Sequence, residues 1–179
     1  MDAHSQIVNA SAVTEVYGRW PSFHDAEVHW MRLERVGATA DDPGPTLEAL
    51  VHAFEMTTEV GPDGRYVLRN HILVHFRFQE VVDLELSDWG IQNVLFGLAI
   101  RDIADRQLER SRFEVEFTSS FGVCALFLCR RVEVMSATPC SAEGVRRSGD
   151  WEKQRGPDQL GVGWGPFENN DQSLAVVIT

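Results

Sequence analysis

Lysine is almost missing from this 179-residue chain: fifteen of its sixteen basic residues are arginine, and Lys153 is the exception. Against them stand 27 acids, for a net charge of −11. So few bases argue against nucleic acid as a partner, because phosphate neutralisation takes clustered Lys and Arg. Long apolar runs are missing too. No stretch approaches the roughly 18 residues of a membrane helix, and no basic-then-apolar signal opens the chain, so a cytoplasmic protein without membrane association is expected. Cysteine is scarce. Cys124, Cys129 and Cys140 are odd in number and form no C-x-x-C pair, which argues against a disulfide framework and a zinc knuckle. Motifs that carry chemistry are missing as well: there is no Gly-x-Ser-x-Gly, no Walker loop, no Gly-x-Gly-x-x-Gly after a strand and no His-Glu-x-x-His. Cys124 lies among Val123, Ala125 and Leu126, not in the electropositive surroundings of a nucleophilic thiol. These absences argue against an enzyme and leave catalytic, cofactor and metal residues without a candidate set.

What is present is period-2 alternation. Hydrophobic residues make up 44% of the chain, enough for a self-sufficient core in one domain. Ser5 to Tyr17 reads as a short, weak helix, with Gly18 as its stop. From Ala26 onward the alternation is that of strands. They are expected over Glu27–Val36, Thr46–Thr58, Tyr66–Phe78, Val81–Leu86, Gln92–Ile103, Arg112–Thr118 and Gly122–Met135. Gln92–Ile103 is ambiguous between strand and helix. Thr46–Thr58 is apolar on both faces and should lie centrally. Gly37–Pro45 reads as a turn-rich connection. Gly61-Pro62-Asp63-Gly64 predicts a hairpin, and Ser119–Gly122 predicts another. The fold class is therefore mostly β (β-rich α+β), with about seven largely antiparallel strands and one short N-terminal helix. The alternation stops near Pro139. A single domain over residues 1–139 is expected, followed by a poorly ordered extension over 140–179 whose Leu174–Ile178 can still add a short strand.

Several side chains invite a functional reading. Trp20-Pro21-Ser22-Phe23-His24-Asp25-Ala26-Glu27-Val28 is the densest group. Adjacent His-Asp can ligate metal, but that chemistry draws further His and Asp ligands from helices, and none are expected here. The pair reads instead as hydrogen-bonding groups that shape a strand entry. His71 and His75 lie about 13 Å apart along a strand, too far to share one ion. His29 and His52 can approach them across neighbouring strands, which would make a cluster of four. Between Ser87 and Val94, Trp89 and Gly90 with the amides of Gln92 and Asn93 make a shaped connection. It is read as a structural turn, with an interaction surface anchored by Trp89 as the alternative.

Taken in order, four pieces resemble the immunity protein 50 family of bacterial polymorphic toxin systems. They are Trp20 to Val28, Phe76-Arg77-Phe78 with Val81–Leu86, Gln92-Asn93-Val94, and Phe121-Gly122 leading into Cys129-Arg130-Arg131-Val132-Glu133-Val134. The resemblance spans roughly residues 18–138. It implies a non-catalytic cytoplasmic protein, without cofactor, that binds and neutralises a cognate toxin by direct association. It singles out Trp20, Pro21, Phe23, His24, Asp25, Glu27, Gln92, Asn93 and Gly122 as motif residues, read as structural. An acidic surface is compatible with a basic toxin domain. Asp83, Glu85 and Trp89 are the candidate partner contacts, while Trp30 reads as core. Two other functions stay open: a small metal-dependent enzyme using His24, Asp25 and the strand histidines, and a β domain that binds a small molecule.

Overall fold

In the computed structural model, which describes residues 3–36, 44–145 and 175–178, the alternating segments form one antiparallel sheet. Its strands are β1 Glu27–Glu34, β2 Thr46–Val60, β3 Tyr66–Gln79, β4 Val82–Ser87, β5 Val94–Asp102, β6 Phe113–Phe121, β7 Cys124–Cys129 and β8 Arg131–Pro139, joined by β9 Ala175–Ile178. The spatial order is β4-β7-β6-β5-β1-β2-β3-β8, with β9 beside β1. The fold is mostly β, as the sequence predicts, with nine described strands instead of about seven. Residues 37–43 of the expected Gly37–Pro45 connection, and 146–174 and 179 of the expected extension, lie outside the described residues.

β2 lies between β1 and β3, in keeping with its two apolar faces. The β2–β3 hairpin closes through Gly61 N–H to Arg65 O at 2.7 Å, with Gly64 at φ +78°. Gln92–Ile103 resolves as strand β5, paired along β6 from Val94↔Phe121 to Asp102↔Phe113. The N-terminal helix is shorter than expected. α1 covers Ser11–Tyr17, and Gly18 stops it at φ +70°. Ser5 and Gln6 belong to a single 3₁₀ turn, Ala3–Gln6. Val8 leaves the helical path because its backbone bonds Val132 O and Val134 N–H at 3.0 Å each. A bond to β8 wins over one more turn of a weak helix.

The larger correction concerns Gly122–Met135, which is two strands and not one. Side chains point inward at Ala125, Phe127 and Cys129, then at Val132 and Val134. The inward set passes from odd to even positions at Arg130-Arg131, so a straight strand would turn one half of it toward water. The chain bends there instead. β7 pairs with β6 and β4, whereas β8 pairs with β3. β3 and β4 bend at the same corner through Glu80, at φ +53°. Arg130 N–H bonds Gln79 O at 3.0 Å and holds the two bends together. Because β3/β8 and β4/β7 stand at opposite ends of the strand order, this bent ribbon folds the sheet over on itself. Strands that switch layers at a bend are the usual way to make such a corner. Phe78 of β3 then meets Phe127 and Phe117 at ring-centroid distances of 5.1 and 6.1 Å. Phe76 stacks beside it at 5.9 Å. These aromatics are buried and form the centre of the core.

Candidate functional site

The segment Trp20 to Val28 is the seam between the two halves of the folded sheet. β1 and β5 share a single register pair, Glu27↔Val94, and the residues before β1 carry the join further. Asp25 N–H donates to Leu95 O at 2.9 Å, Leu95 N–H to Ala26 O at 2.8 Å, Val28 N–H to Asn93 O at 2.8 Å and Leu98 N–H to Ser22 O at 3.1 Å. Phe23 and Asp25 take left-handed backbone, φ +58° and +61°. The chain kinks so that Phe23 goes inward and His24 outward. Trp20 stacks on His4 at 4.9 Å and meets Phe23 and Phe76 edge-on at 5.7 and 6.3 Å. Its buried Nε1–H finds no acceptor among the described residues.

Asn93 and Gly122 lock the far side of the seam. The buried Asn93 side chain accepts from Gly90 N–H (3.0 Å) and Val123 N–H (3.1 Å), and donates to Gly90 O at 3.0 Å. One amide thus ties the Trp89-Gly90 connection to the start of β7. Gly122, at φ +79°, lies so close that a Cβ there would stand 2.1 Å from Gln92 O and 2.7 Å from Asn93 Oδ1. Gln92 contributes this carbonyl while its side chain is exposed.

His24 and Asp25 sit on the outer surface of the seam. Their Nδ1 and Oδ2 atoms are 3.0 Å apart, and His24 also meets the exposed Phe96 ring at 5.2 Å. Both line a groove of about 250 Å³ that continues past Tyr17, Arg19, Phe54 and Met56. Among the candidate contacts, Asp83 and Glu85 are exposed on β4, and Trp89 is half-buried against the core. Trp30 packs on Leu50, Leu73 and Cys140.

The strand histidines separate into two groups. His29, His52 and His71 come together, with His29–His52 ring centroids 5.8 Å apart and His52 Nε2 3.1 Å from His71 Nδ1. Gly144 lies against His29 and His52. His75 stands apart, bonded to Glu48 at 3.1 Å and stacked edge-on to Trp30 at 5.2 Å. Among the described residues no group of three or more His, Cys, Asp and Glu has an arrangement able to hold a metal ion.

These histidines give the fold an acid limit. Burial pushes His52 down to about 4, and the neighbouring His71 and His29 add repulsion that Glu143 partly offsets. Its unfolded counterpart takes a proton near pH 6.5. The unfolded chain therefore binds more protons between those values, and stability falls as pH drops from about 6.5 to 4. Glu48 is held at about 2, chiefly by the hydrogen bond from His75 and then, against the cost of burial, by Arg77. Its contribution is present above about pH 4.5 and is lost as pH falls toward 2. After allowance for solvent screening, each window is worth on the order of 1–3 kcal/mol. Urea melts from pH 7.5 to 3 should show a continuous decline, and His52→Phe should flatten its upper part. A wild-type profile flat between pH 6.5 and 4 would disprove the assignment.

The sequence reading missed a further concentration of chemistry, the arginines gathered where the ribbon bends. Arg110 and Arg112 precede β6, while Arg130 and Arg131 mark the corner. The signal available was the parity break at Arg130-Arg131.

The structure is thus a two-layered antiparallel sheet joined by a bent ribbon, with a hydrogen-bonded seam and open surface clefts. A family model for Immunity protein 50 matches residues 9–140, and the chain belongs to that family. Comparison with curated proteins and with solved structures gave no match.

Proposed function

We propose that this protein binds and neutralises a cognate toxin domain by direct protein–protein association, without catalysis or cofactor, in the cytoplasm of the cell that makes it. The observation that carries this reading is the family match, which spans the strands from β1 to β8 and the seam. The motif residues Trp20, Phe23, Asn93 and Gly122 act as scaffold in this reading, since their contacts are internal. His24, Asp25 and Glu27 complete the strand entry. Neutralisation then falls to surface groups. Asp83 and Glu85 steer a basic patch of the toxin toward β4. Trp89 supplies part of an aromatic anchor at one margin. An interface of standard size, about 1,600 Å² in total, is sufficient for such a complex.

Co-expression with a candidate toxin domain, sought among the neighbouring genes, tests the reading. Survival of the cells, together with a stable complex on size-exclusion chromatography, is the expected result. Continued growth arrest and no complex, despite a folded protein, would overturn it.

A further inference from the structure

We infer that the arginine-lined cleft at the corner of the folded sheet is a docking site for an acidic loop of the protein partner. The cleft holds about 880 Å³ and is open to solvent. Its floor is the corner itself, Gln79-Glu80 against Arg130-Arg131, and its wall is the connection from β5 to β6 that carries Arg110 and Arg112. Four of the fifteen arginines of a chain with net charge −11 line this one space. Glu80 and Glu109 are the acids lining it, and Asp102 and Glu133 pair with Arg112 and Arg131 from beside it.

Each guanidinium is held differently: Arg112 is paired with a carboxylate, Arg130 and Arg131 make only long ion contacts, and Arg110 stands apart from them. Arg112 is fixed by two bonds to Asp102 Oδ2, at 3.1 and 3.3 Å, and by one to Gln6 Oε1 at 2.9 Å. It also lies over the Phe113 ring at 5.6 Å. Arg130 reaches Glu80 at 3.6 Å and Arg131 reaches Glu133 at 4.0 Å, both long contacts with the arginine side chain more than half exposed. Exposed pairs of that length contribute little and exchange readily. Arg110 makes no ion pair among the described residues. The cleft thus presents guanidinium forks whose geometry matches a carboxylate edge, on a backbone already fixed by Arg112 N–H to Cys129 O at 2.9 Å and Arg130 N–H to Gln79 O at 3.0 Å.

The space is too wide and open for a single small anion to fill, and it is of the size that takes several side chains. Ala104 and the part-exposed Leu108 add an apolar wall for aliphatic stems. A loop bearing two or more Asp or Glu residues satisfies both features. This assignment rests on the toxin-binding reading above and refines it. The partner is basic where it faces Asp83 and Glu85, and it carries an acidic loop where it faces the corner.

The variant to make is Arg110→Glu/Arg130→Glu, with Arg65→Glu/Arg69→Glu on the exposed part of the β2–β3 hairpin as the control matched in net charge. Thermal melts should show all three proteins folded. Two binding assays follow, one with that candidate toxin domain and one with labelled poly-L-glutamate, each across a salt series. The expected results are a loss of about tenfold or more in affinity for the toxin domain in the double variant, little change in the control, and salt-sensitive polyglutamate binding that the double variant abolishes. Wild-type binding of the toxin that the double variant retains would overturn the docking site while leaving the immunity reading intact. No toxin binding by the wild type would overturn the immunity reading, and polyglutamate would still judge the cleft. Absence of polyglutamate binding, or tighter binding of inorganic phosphate at the same arginines, would overturn the acidic-loop assignment.

Discussion

Gly122→Ala is expected to destabilise the protein by about 3–5 kcal/mol, a large share of the roughly 5–15 kcal/mol that holds a typical domain folded. Two costs combine. Gly122 has φ +79°, where an L-residue costs roughly 1 kcal/mol. Its new Cβ would also stand 2.1 Å from Gln92 O and 3.1 Å from Asn93 Cα. Those are backbone atoms of the segment that Asn93 ties to Gly90 and Val123, so relief means breaking buried hydrogen bonds. Gly64→Ala isolates the first cost, because Gly64 has nearly the same φ, +78°, and no atom within 4 Å of the added Cβ. It should lose about 1 kcal/mol. Urea denaturation of the two variants measures the difference, and equal losses would show that the close approach at Gly122 is not what the seam depends on.

Phe78→Ala should cost about 3–5 kcal/mol, the range for removing a fully buried phenyl ring. The reason lies in what the ring joins. Phe78 is 0% exposed and touches Phe76 on its own strand and Phe117 and Phe127 on the opposite layer. Its loss opens a void between the two halves, at the point where sequence-distant strands meet. Phe96→Ala on β5, where Phe96 is 59% exposed, should change stability by about 0.5 kcal/mol or less. If the two variants melted together in urea, the folded-over arrangement of the sheet would be refuted.

The parity of apolar residues was enough to find most strands and their inward faces: Ile72, Val74, Phe76 and Phe78 on β3, and Phe113, Val115 and Phe117 on β6, are all buried. Turn chemistry located both hairpins. The bend at Arg130 was written in the same parity, since Cys129 and Val132 are both inward with two arginines between them. A break in alternation announces that the chain changes direction but does not say which strand it joins next. Asn93 and Gly122 stood out as residues, yet their mutual contact depends on a connection and a hairpin that lie about thirty positions apart in the chain.

By itself, the sequence determined the class of fold, the places where the chain turns, the residues that face the core and the kinship of the chain, because each is recorded locally in side-chain type and spacing. Only the tertiary structure decided that β3 and β4 end on opposite sides of the strand order, that three of the strand histidines meet while His75 pairs with Glu48, and that four arginines from two distant segments share one cleft. These follow from strand pairing across long sequence separations. Alternation specifies which face a residue takes, whereas pairing partners are selected by the combined burial of both layers.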